Sequence, residues 1–200
     1  MQYEEIIREI ARKNSQVSQY QFCCYRANLD SDNLDSDNFE YLFPEKTFRV
    51  HRDDIRLGFV ADLRARHLPS NEHVIGLTSL VLIDGNEFHL DMADFCCEKS
   101  EEGLEDVRRT LTSLRMRRGF VMDSGNSYHY LGANFRSKSE FLQLMGRLSD
   151  YSCIGPNWPH YQQLKEFSVL RITPCFKFGK KIPQLVERFD DPQLYFLFTE

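Results

Sequence analysis

Ser124-Gly125-Asn126-Ser127-Tyr128-His129 follows Asp91-Met92-Ala93-Asp94-Phe95 by about thirty residues. A turn of small residues that delivers a histidine onto a strand suits an anion, because short side chains let backbone N–H groups approach and the imidazole adds a donor. A carboxylate strand earlier in the chain can hold a divalent cation, Mg²⁺ or Mn²⁺, against the same anion. Together they predict a nucleotide-phosphate site. Ser124, Gly125, Asn126 and His129 are its phosphate contacts, and Asp91 and Asp94 are its candidate metal ligands and catalytic carboxylates. The competing reading of His129 is a core hydrogen-bonder. Tyr128 and Tyr130 fall on the other face of that strand and read as packing residues.

Charge narrows the ligand. A net charge of −5 excludes a protein that coats duplex DNA by bulk electrostatics. Positive charge is local instead: Arg108, Arg109, Arg115, Arg117 and Arg118 crowd the segment before the turn. They form either a solvated helix end or a groove for a phosphate backbone, with Arg115, Arg117 and Arg118 as nucleic-acid contacts. Trp158, the single tryptophan, precedes Pro159 and His160. It reads as a core residue beside a satisfied histidine or, with His160, as a stacking platform for a base of single-stranded nucleic acid.

Other constellations carry less. Cys23-Cys24 and Cys96-Cys97 lack the two-residue gap of a zinc knuckle, so zinc is not expected and the six cysteines read as buried thiols. The repeat from Leu29 to Asn38 alternates aspartates but lacks the central glycine and closing glutamate of a calcium loop, which leaves a solvated acidic loop. No apolar run approaches membrane-spanning length, and the charged amphipathic start is unlike a secretory signal. A cytoplasmic location is the expectation. The apolar run Leu194-Tyr195-Phe196-Leu197-Phe198 suits docking on a protein partner or a final buried strand.

The elements that must position these residues follow from periodicity. Residues 3–13 place Ile6, Ile7, Ile10 and Ala11 at helical spacing. Gln19 to Arg26 reads as a strand and 53–66 as a helix broken by Pro69-Ser70-Asn71. Val74–Ile83 and Glu87–Cys97 form a hairpin around Asp84-Gly85-Asn86. Glu101 to Arg118 is a helix with Gly119 as its stop. Phe120–Asp123 and Tyr128–Ala133 are strands on either side of the turn. Ser137 caps a helix to Leu148, with Glu140 completing a capping box. Cys153–Pro159 is a loop and Phe167–Thr173 a strand that Pro174 closes. The expectation is one α+β domain over 1–200, with an N-terminal elaboration (1–70), a core carrying the motifs (74–176) and a C-terminal extension (177–200).

This succession, an Asp-Phe strand, a helix, an S-G-x-x-x-H turn and the strand Leu170-Arg171-Ile172-Thr173, resembles the archaeo-eukaryotic primase superfamily, and more closely its bacterial primase-like proteins. The resemblance implies an antiparallel or mixed sheet related to the RNA-recognition module, flanked by helices. It also implies an Asp-x-Asp metal strand, a serine and histidine on the nucleotide's phosphates, and a third acidic residue on a later strand. Asp94 takes the first metal position, and Ser124 and His129 the phosphate positions. Cys96 stands at the second metal position and Arg171 at the third. A register using Asp91 and Asp94 is the alternative, but three-residue spacing sends side chains to opposite faces of a strand unless a bulge intervenes.

Two-metal phosphoryl transfer holds its cations roughly 3.5–4 Å apart with several oxygen ligands. An aspartate, a cysteine and an arginine make a poor cradle for that pair. Arg171 would repel a metal yet can clamp a phosphate through its planar fork, or pair with Asp94. The expected function is therefore a nucleotide- or single-stranded nucleic-acid-binding primase-like protein with a degraded catalytic centre, working with a protein partner. The alternatives are an active metal-dependent primase, polymerase or nucleotidyltransferase using Asp91 and Asp94, and a non-catalytic interaction subunit. The resemblance further suggests a mobile-element or phage-defence setting.

Overall fold

The computed structural model describes residues 1–26, 43–174 and 181–190. The acidic repeat Leu29–Asn38, Cys175 and the run Leu194–Phe198 lie outside the described residues. Helix α1 (Tyr3–Lys13) opens on a capping box between Gln2 and Glu5 and buries Tyr3, Ile6, Ile7, Ile10 and Ala11 along one stripe. Strands β1 (Val17–Arg26) and β2 (Lys46–His51) pair antiparallel. The helix expected over 53–66 is shorter: one 3-10 turn at Arg52–Asp54 tucks Ile55 into the core, and α2 (Phe59–His67) starts only after Gly58, whose φ of +88° redirects the chain.

The hairpin forms as β3 (His73–Ile83) and β4 (Asn86–Asp94). Helix α3 (Glu101–Ser113) stops five residues before the expected end. Its stop comes from hydrogen bonds, not from glycine: Met116 N–H donates to Leu111 O and Arg115 N–H to Thr112 O, with Arg115 itself at φ +55°. That is a Schellman motif in which arginine takes the position usually held by glycine, and burial of Met116 with Leu111 accompanies it. Gly119 lies instead inside β5 (Arg118–Asp123), where an added Cβ would come within 2.6 Å of the Tyr130 ring. Strand β6 (Tyr128–Arg136) runs three residues past its expected end, and helix α4 (Lys138–Leu148), with its Ser137–Glu140 capping box, follows as expected. A further helix, α5 (Trp158–Lys165), replaces the end of the predicted loop, with Pro159 in its first turn where a missing N–H costs nothing. Strands β7 (Val169–Arg171) and β8 (Gln184–Asp190) complete the order.

All pairings are antiparallel and the sheet runs β2-β1-β3-β4-β6-β5-β8, with β7 beside the first half of β3 and β4 beside its second half. Helices cover both faces. Leu90 and Met92 of β4, with Met122 and Leu131, pack toward α1 and α2. Ala93, Val121 and Tyr130 pack toward α3 and α4, with Trp158 at the start of α5 against both layers. The fold is thus α+β, an antiparallel sheet flanked by helices. Among the described residues no helix is long and apolar enough to cross a membrane.

Candidate functional site

Strand β4 ends on Asp94, and β6 opens one residue before His129. The ladder between them sets Asp94 directly opposite His129. His129 Nε2 lies 3.3 Å from Asp94 Oδ1. Alternation places both on the α1 face, since Met92 and Leu131 point there while Tyr128 and Tyr130 pack toward α3. His129 is 6% exposed, whereas the Asp94 side chain is 38% exposed. The dyad therefore has a wet carboxylate and a nearly dry ring. Nδ1 of that ring is buried without a hydrogen-bond partner.

The turn before His129 is built from its own acceptors. Gly125, at φ +112°, donates its N–H to the Asp123 carboxylate at 2.7 Å, and Lys99 Nζ holds the other oxygen of that carboxylate at 2.7 Å. Ser124 N–H donates to Ser127 O, and Ser127 Oγ to Cys97 O. The donors of Ser124 and Gly125 thus face protein oxygens, a resident carboxylate among them, in the role expected of a bound anion. Gly125 and Asn126 are exposed at the tip.

Arg171 is buried and its fork holds backbone: Nη1 donates to Thr173 O and Lys181 O, both at 2.7 Å, and Nη2 to Ser124 O at 2.9 Å. It stitches the turn to the segment between β7 and β8. The expected Asp94–Arg171 pair does not form; His129 is the partner of Asp94. A guanidinium with three fixed carbonyls positions the turn and adds positive charge behind it.

Asp91 is fully buried on the opposite face from Asp94, bidentate with Arg136, whose Nε reaches Oδ1 and whose Nη2 lies 3.2 Å from Oδ2. A bulge does occur here: Leu90 pairs with Phe135 and Met92 with Leu131, so three residues of β6 face Asp91. It gives Arg136 room to fold back and leaves Asp91 on the α3 face with Ala93. Burial pushes the Asp91 carboxyl up despite Arg136. The structure does not bring Asp91 and Asp94 together, and among the described residues no three His, Cys, Asp or Glu side chains form a metal-ligand group. Asp94 is the one candidate of the pair that faces solvent.

The remaining candidates are dispersed. Arg115, Arg117 and Arg118 are exposed at the opposite end of β5 from the turn, about 17 Å away at strand rise. Arg118 sits 3.7 Å from Asp190, and Arg108 grips Glu187 through Nε and Nη2. Trp158 is half-buried against both cores, and His160 is exposed. Cys96, expected to be buried, is exposed.

Two features escaped the sequence reading. Ser79, His89 and Ser168 form a buried polar network where β3 parts from β4: His89 Nδ1 lies 3.0 Å from Ser79 Oγ, which also accepts from Ser168 N–H. Tyr3, fully buried at the start of α1, has a hydroxyl that takes no hydrogen bond. Neither carries a sequence signal beyond a polar atom in an apolar pattern.

A family model described as AEP-like, archaeo-eukaryotic primase 1D-like, matches residues 56–183. That span holds both aspartates, the turn, His129 and Arg171, while α1 and β1 lie before it. No curated protein and no solved structure matches the chain.

Proposed function

Since the chain belongs to the AEP-like (archaeo-eukaryotic primase 1D-like) family, we propose that it binds a nucleotide, or the phosphate of single-stranded nucleic acid, at the Asp94–His129 dyad, without the two-metal chemistry of a polymerase. The match supports a nucleic-acid-related role in general. The observation that carries the finer reading is the pairing of the two residues across β4 and β6.

The chemistry follows from the ring. When Nε2–H donates to Asp94, the neutral imidazole leaves Nδ1 as an acceptor, and the protonated one offers Nδ1–H to an anion. The carboxylate fixes the orientation of the ring. A phosphate oxygen arriving at Nδ1 would then receive a charge-assisted hydrogen bond. Arg171 holds the turn and contributes positive potential, and Gly125 and Asn126, beside the half-buried Ser124, present the exposed rim.

A pair of Mg²⁺ or Mn²⁺ ions does not fit the residues present. Asp94 offers one carboxylate, Cys96 and Arg171 stand where two more would be needed, and Asp91 is held by Arg136 across the sheet. Asp94 alone can still share one cation with the phosphates of a bound nucleotide, its partly exposed carboxylate being the observation that favours this second reading. A protein partner would have to supply the missing ligands for any polymerase activity, and that is the role assigned to the expected partner.

The test is titration of the purified chain with nucleoside triphosphates and short single-stranded oligonucleotides, with and without Mg²⁺ or Mn²⁺. Binding in the micromolar range is expected, and His129→Ala should weaken it about tenfold while the protein stays folded. Equal affinity of the folded variant would remove His129 from the site.

A further inference from the structure

A shallow depression of about 160 Å³, open to solvent, lies on the outer strands of the sheet, lined by Gln19 and Gln21 of β1, Arg49 of β2, Leu80 and Leu82 of β3 and Glu87 of β4. Strand register puts these side chains on one face: Gln21 stands opposite Arg49, Gln19 opposite Leu82, and Leu82 opposite Glu87. Their neighbours Tyr20, Val50, Val81 and Phe88 pack on the α1 side instead. Arg49 Nη2 donates to Glu87 Oε1 at 2.5 Å, so this pair arches over β1 and β3, the two strands between them. Gln21 is only 9% exposed, yet its carboxamide takes no hydrogen bond among the described residues; the bond from Thr78 Oγ1 goes to its backbone carbonyl. Buried polar groups ordinarily have a partner, and an apolar side chain would fill the place of Gln21 without that cost.

The lining specifies an occupant. Arg49 and Glu87 neutralise each other, so the depression does not select an anion. Leu80 and Leu82, both half-buried, give it an apolar floor, and the planar Arg49 guanidinium is a cover that stacks on aromatic faces. A glutamine carboxamide pairs bidentately with the N6/N7 edge of adenine. Resting on the reading of the chain as a nucleotide- or single-stranded nucleic-acid-binding protein, we propose that this depression is a second site, for an adenine base. Gln21 reads the N6/N7 edge, Leu80 and Leu82 pack against one face of the ring, and Arg49 covers the other. A free nucleoside and a base of a single strand present the same edge. The site is separate from the dyad: Glu87 and Asp94 lie seven residues apart on β4, about 23 Å at strand rise, and on opposite faces of the sheet. Gln19, Gln21 and Arg49 all precede the residues matched by the family model, so the site is an addition to the shared core.

The test titrates the full chain with adenosine and with a single-stranded hexanucleotide of deoxyadenosine. Both should bind the wild type, and Gln21→Leu, which removes the amide at similar volume, should weaken each about tenfold. Binding of the hexanucleotide alone, weakened by Gln21→Leu, would identify the occupant as a base of single-stranded nucleic acid. Neither probe bound by the wild type, or equal affinities in the wild type and the folded variant, would overturn the site. Binding should also persist in saturating inorganic tripolyphosphate, the probe of the dyad. Displacement of adenosine by tripolyphosphate would overturn a separate site, whereas adenosine binding by a chain that takes no tripolyphosphate would leave this site standing and remove the dyad reading. Should Gln21→Leu fail to fold, ¹⁵N spectra of the wild type decide: the Gln21 side-chain amide signals move on saturation with the probe that binds if the proposal holds, and unmoved signals overturn it.

Discussion

Asp91 and Asp94, three residues apart on β4, point to opposite faces of the sheet: Asp91 is sealed against Arg136 on the α3 side, and Asp94 meets His129 on the α1 side. The two carboxylates therefore have different work. Asp91→Asn breaks a buried ion pair and leaves a guanidinium without its counter-charge, which should destabilise the fold by about 3–5 kcal/mol. Asp94→Asn, at a half-exposed site, should cost about 1 kcal/mol or less. Urea melts of the two variants check the contrast, and equal losses would contradict it.

Acid should weaken the fold through His89. Burial, with help from Lys138, holds this imidazole down to about 4, against about 6.5 in an unfolded chain. As pH falls through 6.5 the unfolded state takes a proton that the folded state refuses until about pH 4. Stability is therefore full above that window and declines across it, by up to about 3 kcal/mol. His89→Phe preserves the stack on Phe141, whose ring centroid is 4.3 Å away, but leaves Ser79 Oγ without the imidazole. It should lower stability at pH 7 and flatten the dependence between pH 6.5 and 4. Parallel urea midpoints for the two proteins would reveal it, and identical pH slopes would rule His89 out.

Arg171 should prove to be a positioning residue. Its fork joins Ser124, Thr173 and Lys181 through their carbonyls, a geometry that a single ammonium cannot reproduce. Arg171→Lys should destabilise by about 1.5–3 kcal/mol and speed amide exchange in residues 124–127. Nucleotide affinity would fall with it. Loss of affinity with unchanged exchange and stability would instead make Arg171 a direct phosphate contact.

The isolated chain should not extend a primer with Mg²⁺ or Mn²⁺. Asp94 faces solvent, but its strand neighbour Asp91 is across the sheet, Cys96 replaces one expected carboxylate and Arg171 another. Metal-dependent nucleotide incorporation abolished by Asp94→Asn would show that one carboxylate suffices and that the degraded-centre reading is wrong. Incorporation that survives Asp94→Asn would point to a contaminating polymerase.

Much of the secondary structure was legible because its causes are local. The stripe of Ile6, Ile7, Ile10 and Ala11, the Asp84-Gly85-Asn86 turn and the Ser137–Glu140 capping box each act within one helical turn or one hairpin. The stop of α3 was misplaced because its carriers are hydrogen bonds from Arg115 and Met116, an ordinary sequence doing what glycine often does. Gly119 answers instead to the Tyr130 ring, a contact made across two strands.

The candidate site divides the same way. Sequence alone determined which residue types are available: an aspartate at the end of one strand, a histidine at the start of another, and cysteine and arginine where carboxylates are expected. The first two followed from residue chemistry and spacing, and the last from the resemblance to the primase superfamily. Only the tertiary structure decided who meets whom. Register across the β4–β6 ladder set Asp94 against His129, since a shift of one residue would send the ring to the other face. Regular alternation along β4 kept Asp91 on the other face, where Arg136 pairs with it, three backbone carbonyls captured Arg171, and the seating of α1 buried Tyr3 against the sheet. These partnerships join residues as many as 47 positions apart, as from Ser124 to Arg171. No periodicity records them, because they arise from the folding of separate elements onto one surface.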